Sequence, residues 1–223
     1  TAENQESGEG RELEFPSGSP ERPVLVSFTD PGFTLPANST SETFTYSINW
    51  GDGSDLETGD ITGQQNGSDG AVTSGLLGGQ HTYADNGTYT VTIEITDDDG
   101  DAGSGSFDIE IVNTAPNVTA AATSPSVNEG SELAISNIAT ITDHGFDDVT
   151  ANTVESFHYS INWGDGSTAD EGDVTIDTVG SSGVRTAGSF DGTHTYADDG
   201  TYIVVLTVED DDGATGTDEM TIT

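Results

Sequence analysis

FTYSINWGDGS, from Phe44 to Ser54, returns almost unchanged as FHYSINWGDGS, from Phe157 to Ser167. Working outward, HTYADNGTYTV at His81 returns as HTYADDGTYIV at His194, DDDG at Asp97 returns at Asp210, and TDPGF around Asp30 returns as TDHGF around Asp143. Each pair (44 and 157, 81 and 194, 97 and 210, 30 and 143) is separated by the same 113 positions. Further upstream, EGREL at Glu9 resembles EGSEL at Glu129, now 120 positions apart. The first copy therefore holds a seven-residue insertion, placed in the proline-rich stretch of Pro16, Pro20 and Pro23. A period of this length marks tandem copies of one structural unit. The boundary falls at Asn113-Thr114-Ala115-Pro116, where proline stops a strand, giving repeats over 1–113 and 114–223.

Within each repeat the apolar period is two. Phe44, Tyr46, Ile48 and Trp50 alternate with Thr45, Ser47 and Asn49; Tyr89, Val91, Ile93 and Ile95 alternate with Thr and Glu; Phe107, Ile109 and Ile111 repeat the pattern. Alternation of this kind predicts strands with one face on a core. No stretch shows helical spacing. Several short strands per repeat, separated by Gly, Asp and Asn turns, predict an all-β fold of two tandem β-sandwiches. Ile203 and Val205 stand where the first repeat has outward Thr90 and Thr92; they mark either a contact face or scattered surface aliphatics.

Composition narrows the function. The 223 residues contain no cysteine, so disulfides and thiolate metal sites are excluded. Against 41 acidic residues stand only Arg11, Arg22 and Arg185, a net charge of −38. Such a chain repels itself unless cations relieve it, and it has no basic surface for nucleic acid or anionic membranes. No apolar run reaches 18 residues, so no direct membrane insertion is expected. Aligned by the repeat, the first copy lacks a counterpart of Asn117–Ala120 and the second stops within its last strand. The expectation is a slice of a longer array, or a strand supplied by a neighbouring molecule.

WGDGS followed by HTYADxGTYxV and DDDG, in order and twice, resembles the PKD (polycystic kidney disease) domain, over about Asp30–Ile111 and from Asp143 onward. The resemblance implies two tandem immunoglobulin-like Greek-key β-sandwiches, modules of secreted and cell-surface proteins used in microbes as spacers and adhesion units, some of them binding calcium. The 31 positions from Trp50 to His81 exceed the usual connection and predict an added hairpin around Asn66-Gly67-Ser68.

The shared carboxylates are the strongest functional signal. Calcium takes six to eight hard oxygen ligands in tolerant geometry. Asp97 and Asp99, like Asp210 and Asp212, lie two apart at a strand end; Asp30 and Asp143 sit in turns at a sandwich end; Glu9 and Glu129 open the first strands. These eight residues are the candidate metal ligands, with Asn113 and Asp98 as lesser additions; bound Ca²⁺ would clamp loops and stiffen the array. The alternative is an acidic surface with diffuse counterions. Trp50 and Trp163 read as core, and Tyr83, Tyr89, Tyr196 and Tyr202 as tyrosine corners. His81 and His194 read as packed and hydrogen-bonded, while Asp52-Gly53 and Asp165-Gly166 are structural turns or metal ligands. Asn38, Asn66, Asn86 and Asn117 open glycosylation sequons. No nucleophile, base or zinc set repeats, so no enzyme is expected. The function read here is a non-catalytic extracellular structural or adhesive module whose partners are other repeats of the same or neighbouring chains. The rival is a carbohydrate-binding or hydrolase-accessory module that contacts surface glycans through loops 54–80 and 167–193, where Phe190 is the one aromatic.

Overall fold

The computed structural model describes residues 7–15, 25–35, 37 and 40–223; Pro16, Pro20, Pro23 and Asn38 lie outside them. All described elements are strands, and no helix among the described residues is long and apolar enough to cross a membrane. The chain divides into two compact units. The first is built chiefly from Glu12–Tyr83 and Gly87–Ile111, the second from Gly8–Arg11, Ala84–Asn86 and Val112–Thr223.

The second unit shows the architecture most plainly. One sheet orders β10 (Asn117–Ala120), β11 (Glu132–Asp143), β15 (Thr186–Thr195) and β14 (Thr175–Thr178). The other orders β13 (Asp170–Asp173), β12 (Phe157–Asn162), β16 (Tyr202–Asp210) and β17 (Thr215–Ile222). In chain order this is the A-B-E-D over C′-C-F-G arrangement of an immunoglobulin-like sandwich. Alternation does the burying: Ile161 and Trp163 point inward with Val204, Leu206 and Val208, against Ile138 and Ile141 of the facing sheet.

In the first unit, β4 (Phe44–Asn49) pairs with β5 (Glu57–Ile61) and β8 (Gly87–Asp97), and β8 with β9 (Ala102–Val112). β1 (Ser7–Gly8) edges this sheet beside β9. Opposite, β2 (Glu12–Phe15) pairs with β7 (Gly79–Thr82), and β3 (Val26–Asp30) with β6 (Thr73–Leu77). The single strand β11 of the second unit corresponds to β2 and β3 together. Its register breaks between Ile135 and Ala139, a β-bulge, and at the same point residues 16–25 separate β2 from β3. Three residues at the bulge against ten in the first repeat locate the seven-residue insertion. The hairpin expected around Asn66–Ser68 turns slightly later, at Ser68–Ala71, which bond to each other across Gly70 at φ 80°.

Trp50 and Trp163 are buried, as expected, and so are Tyr83 and Tyr196. The Tyr83 hydroxyl donates to the Trp50 carbonyl at 2.9 Å, and Tyr196 to Trp163 at 3.1 Å. Each bond spans 33 positions, so it ties the loop before one strand to the end of another. Gly51 follows Trp50 at φ 86°, and a side chain there would strike the Thr90 backbone; Gly164 repeats this against Ile203. Burial pushes the Tyr196 hydroxyl up to about 12, keeping it a donor. Tyr196→Phe is expected to cost about 1–2 kcal/mol, because it strands a buried carbonyl. Urea unfolding of the two proteins checks this; equal midpoints would mean the hydroxyl ties nothing down.

Candidate metal centre

Each repeat builds the same acidic cradle. Asp30 ends β3 and accepts the Gly32 N–H at 2.6 Å; Asp143 ends β11 and accepts that of Gly145 at 2.8 Å. The turn is pinned from behind, where Thr73 Oγ1 donates to the Gly32 carbonyl and Thr186 Oγ1 to that of Gly145. The first aspartate of each DDDG run closes its own hairpin. Asp97 Oδ1 accepts the Asp101 N–H and Asp210 Oδ1 the Ala214 N–H, both at 2.8 Å. The second aspartate, Asp98 or Asp211, accepts the N–H of Thr43 or Ser156 at 3.2 Å. That bond fixes the residue just before it, Glu42 or Glu155, whose carboxylate lies over the turn glycine. A side chain on Gly32 or Gly145 would collide with that carboxylate, which gives the turn motif its glycine.

The second unit closes its cradle further. One oxygen each of Glu9, Asp85 and Glu155 lie within 4.8 Å of one another. Glu9 is 2% exposed; its Oε1 accepts the Thr114 N–H at 2.9 Å while Oε2 has no partner. Asp143, also 2% exposed, uses Oδ1 on Gly145 and leaves Oδ2 without a partner. Asn113 donates through Nδ2 to both oxygens of Asp210, at 3.1 and 3.2 Å, and its Oδ1 has no partner. Among the described residues these three are the only buried side-chain polar atoms without a hydrogen bond. All three are acceptors, and a buried acceptor left unmet is costly.

The electrostatics point the same way. Burial pushes Glu9 up to about 7 against the Thr114 bond, helped by Asp143, Asp212 and Asp210. Burial also lifts Asp143 to about 6, with Asp210 adding to it. Glu155 rises to about 9 through burial and the charges of Asp211, Glu9, Asp143 and Asp85. Asp212 is raised by burial, then by Asp85, with which it shares a hydrogen bond. A set of converging carboxylates plus one amide oxygen, with neither nitrogen nor sulfur, suits a hard cation. The clustered oxygens of Glu9, Asp85 and Glu155, with Glu9 Oε2 buried and unmet, are a donor set of that kind.

The predicted ligands thus separate into three places. Glu9 lies in the second unit with Asp85 and Glu155, and Asp143, Asp210 and the exposed Asp212 act on it through charge. Asp30 and Asp97 lie together in the first unit with Glu42, all half-buried; Asp99 is exposed and acts on Glu42 through charge, which burial and four neighbouring aspartates raise. Glu129 stands apart from these residues, exposed beside Asp198 and Asp199. Sequence reasoning missed Glu42, Glu155 and Asp85. Glu42 and Glu155 are themselves 113 positions apart, so the repeat offset held the signal.

Asp52 and Asp165 are structural turns. Asp52 Oδ1 accepts from Ser54, and Oδ2 meets His81 Nε2 at 2.6 Å; Asp165 and His194 repeat the pair at 2.8 Å. The histidines stack on the tryptophans, His81 on Trp50 and His194 on Trp163, each with centroids 4.8 Å apart. Burial raises Asp52, but the hydrogen bonds from His81 and Ser54 outweigh it and hold the carboxyl at about 2. A depressed carboxyl stabilises the fold above its unfolded value near about 3.9 and loses that contribution as pH falls toward about 2. Asp52→Asn is therefore expected to flatten the acid limb between about pH 4 and about pH 2 in urea midpoints; an unchanged limb would remove Asp52 from the account. Phe190, the one aromatic available for a sugar, is 4% exposed and stacks on Tyr159 at 4.2 Å. Its apolar ring belongs to the core, which corrects its assignment to a binding loop.

No family model matches the chain, and no curated protein matches it. Solved structures with a similar chain course include the fibronectin(III)-like modules of Clostridium thermocellum CbhA (14% identity, TM-score 0.32, 98% of this chain and 88% of that one). The amphioxus IgVJ-C2 molecule is similar at 12% identity and TM-score 0.36, covering 98% and 99%. An ICAM-5 D1–D4 ectodomain fragment is similar at 17% and 0.33, covering 96% of this chain and 53% of that one. At these TM-scores the likenesses carry no argument. The strand order alone describes the chain: two tandem all-β, immunoglobulin-like sandwiches.

Proposed function

We propose that this chain is a non-catalytic structural or adhesive repeat module of the cell exterior, PKD-like in its motifs, stiffened by calcium and part of a longer surface array. The observation that carries the reading is the carboxylate cluster of Glu9, Asp85 and Glu155, in which Glu9 Oε2 is buried without a partner. The non-catalytic half is supported by what the repeated polar side chains do: they close turns, pin loops or face the cradle. In the second unit a bound cation would hold Gly8–Arg11 and Ala84–Asn86 against Val112–Thr223, converting repulsion among carboxylates into attachment. Partners of such a module are other repeats of the same or neighbouring chains. Phe190, the aromatic on which a glycan reading would draw, is buried.

A thermal melt at fixed salt with EDTA, then with excess CaCl₂, and with MgCl₂ as control, tests the proposal. A ligand that binds only the native state at a hundredfold excess over Kd adds about 2.7 kcal/mol, about 10–20 °C for a domain of this size. The rise is expected with calcium and not with magnesium, whose strict octahedron the irregular cradle suits poorly. Equal rises with both, matched by molar NaCl, would reduce the acids to a solvated surface.

A further inference from the structure

We infer that the chain carries one tight calcium site, in the second unit, completed by Glu9 and Asp85, and not one site per repeat. This rests on the calcium reading above and specifies where the ion binds. Counting motifs gives two sites, because the turn aspartate, the overlying glutamate and the DDDG aspartate recur 113 positions apart. The surroundings of the two cradles differ. In the first unit Asp30, Glu42 and Asp97 are half-buried, and among the described residues none of their oxygens is buried without a partner. Solvent reaches them, and an ion arriving there must displace water for little return.

In the second unit Glu9 and Asp85 bring their carboxylates to Glu155. Glu9 and Asp143 are each anchored through one oxygen by a backbone N–H, which leaves the other oxygen of each buried without a protein donor. The Asn113 carbonyl adds a neutral oxygen, oriented because its amide nitrogen is held by Asp210. Pre-aimed oxygens of this kind bind a cation tightly because little ordering remains to be done on binding, and calcium accepts the mixed carboxylate and carbonyl set.

Calorimetric titration of the full, calcium-free chain with CaCl₂ tests the inference. Wild type is expected to bind one ion tightly. Glu155→Gln and Glu9→Gln each weaken that binding by more than about tenfold, since ligand charge sets affinity; Glu42→Gln changes it by less than about twofold. Glu9→Gln keeps an oxygen for the Thr114 N–H and removes a buried charge, so it is expected to melt higher than wild type in EDTA, separating a lost ligand from a lost fold. Two equally tight ions, or a Glu42→Gln loss as large as that of Glu155→Gln, would overturn the single site while leaving calcium binding intact. No calcium-specific binding at all would overturn the calcium reading itself, and this inference with it.

Discussion

In calcium-free buffer the protein is expected to become less stable as the pH rises from about 5 to about 8, opposite to the trend set by ordinary paired carboxylates. The sign follows from the raised groups. Burial pushes Glu9 up to about 7 and Asp143 to about 6 in the folded chain, against about 4.3 and about 3.9 unfolded. Between those values the folded state holds protons that the unfolded state has released, so stability falls with rising pH. Each tenfold difference in proton affinity between the two states is worth about 1.4 kcal/mol, so Glu9 alone contributes on the order of 3 kcal/mol to the change. Saturating calcium replaces the protons, so the slope is expected to vanish when it is present. Urea unfolding at several pH values, with EDTA and with CaCl₂, measures both curves. Parallel curves would mean that proton and cation do not compete for these oxygens. Below about pH 4 both curves turn down, as Asp52 and Asp165, held at about 2 by their hydrogen bonds, begin to protonate.

Trp163→Ala is expected to cost about 3–5 kcal/mol, the range for emptying a buried aromatic site, and to melt the second unit well below the first. The ring is 1% exposed and fills the space between the two sheets. It also organises its surroundings: Nε1 donates to Asp170 at 2.8 Å, and the face carries His194. Truncation therefore leaves a cavity, an unpaired carboxylate and an unsupported His194–Asp165 pair together. Trp163→Phe keeps most of the volume and is expected to lose less than half as much. Calorimetry resolving two transitions would show the lower one shifting alone; a shift of both would contradict independent cores.

Much of this was legible in the residues. The alternation of Phe44, Ile48 and Trp50 fixed both the strand and its inward face, because side-chain direction in a strand follows from parity alone. The paired His81 and His194 were readable as packed groups, since each repeats beside the same Thr and Tyr. The metal centre was half legible. Asp30, Asp97 and their partners advertise themselves as short motifs, whereas Glu42 and Glu155 stand alone between polar residues and become ligand candidates only when the turn glycine lets them lie across it. Asp85 sits in a motif that reads as a turn, and its proximity to Glu155, 70 positions away, is a product of folding. Glu129 shows the converse: local likeness to Glu9 does not carry over, because burial and not motif separates the two. Glu9 is enclosed beside Asn113 and Thr114, while Glu129 faces solvent.

A crystal structure of the full chain grown with calcium decides whether the second unit holds the ion. One ion is expected in the second unit, with Glu9, Asp85 and Glu155 among its ligands at about 2.3–2.6 Å, and the cradle of Asp30, Glu42 and Asp97 holding only water. An empty or water-filled centre at Glu9, with calcium elsewhere or nowhere, would contradict that expectation.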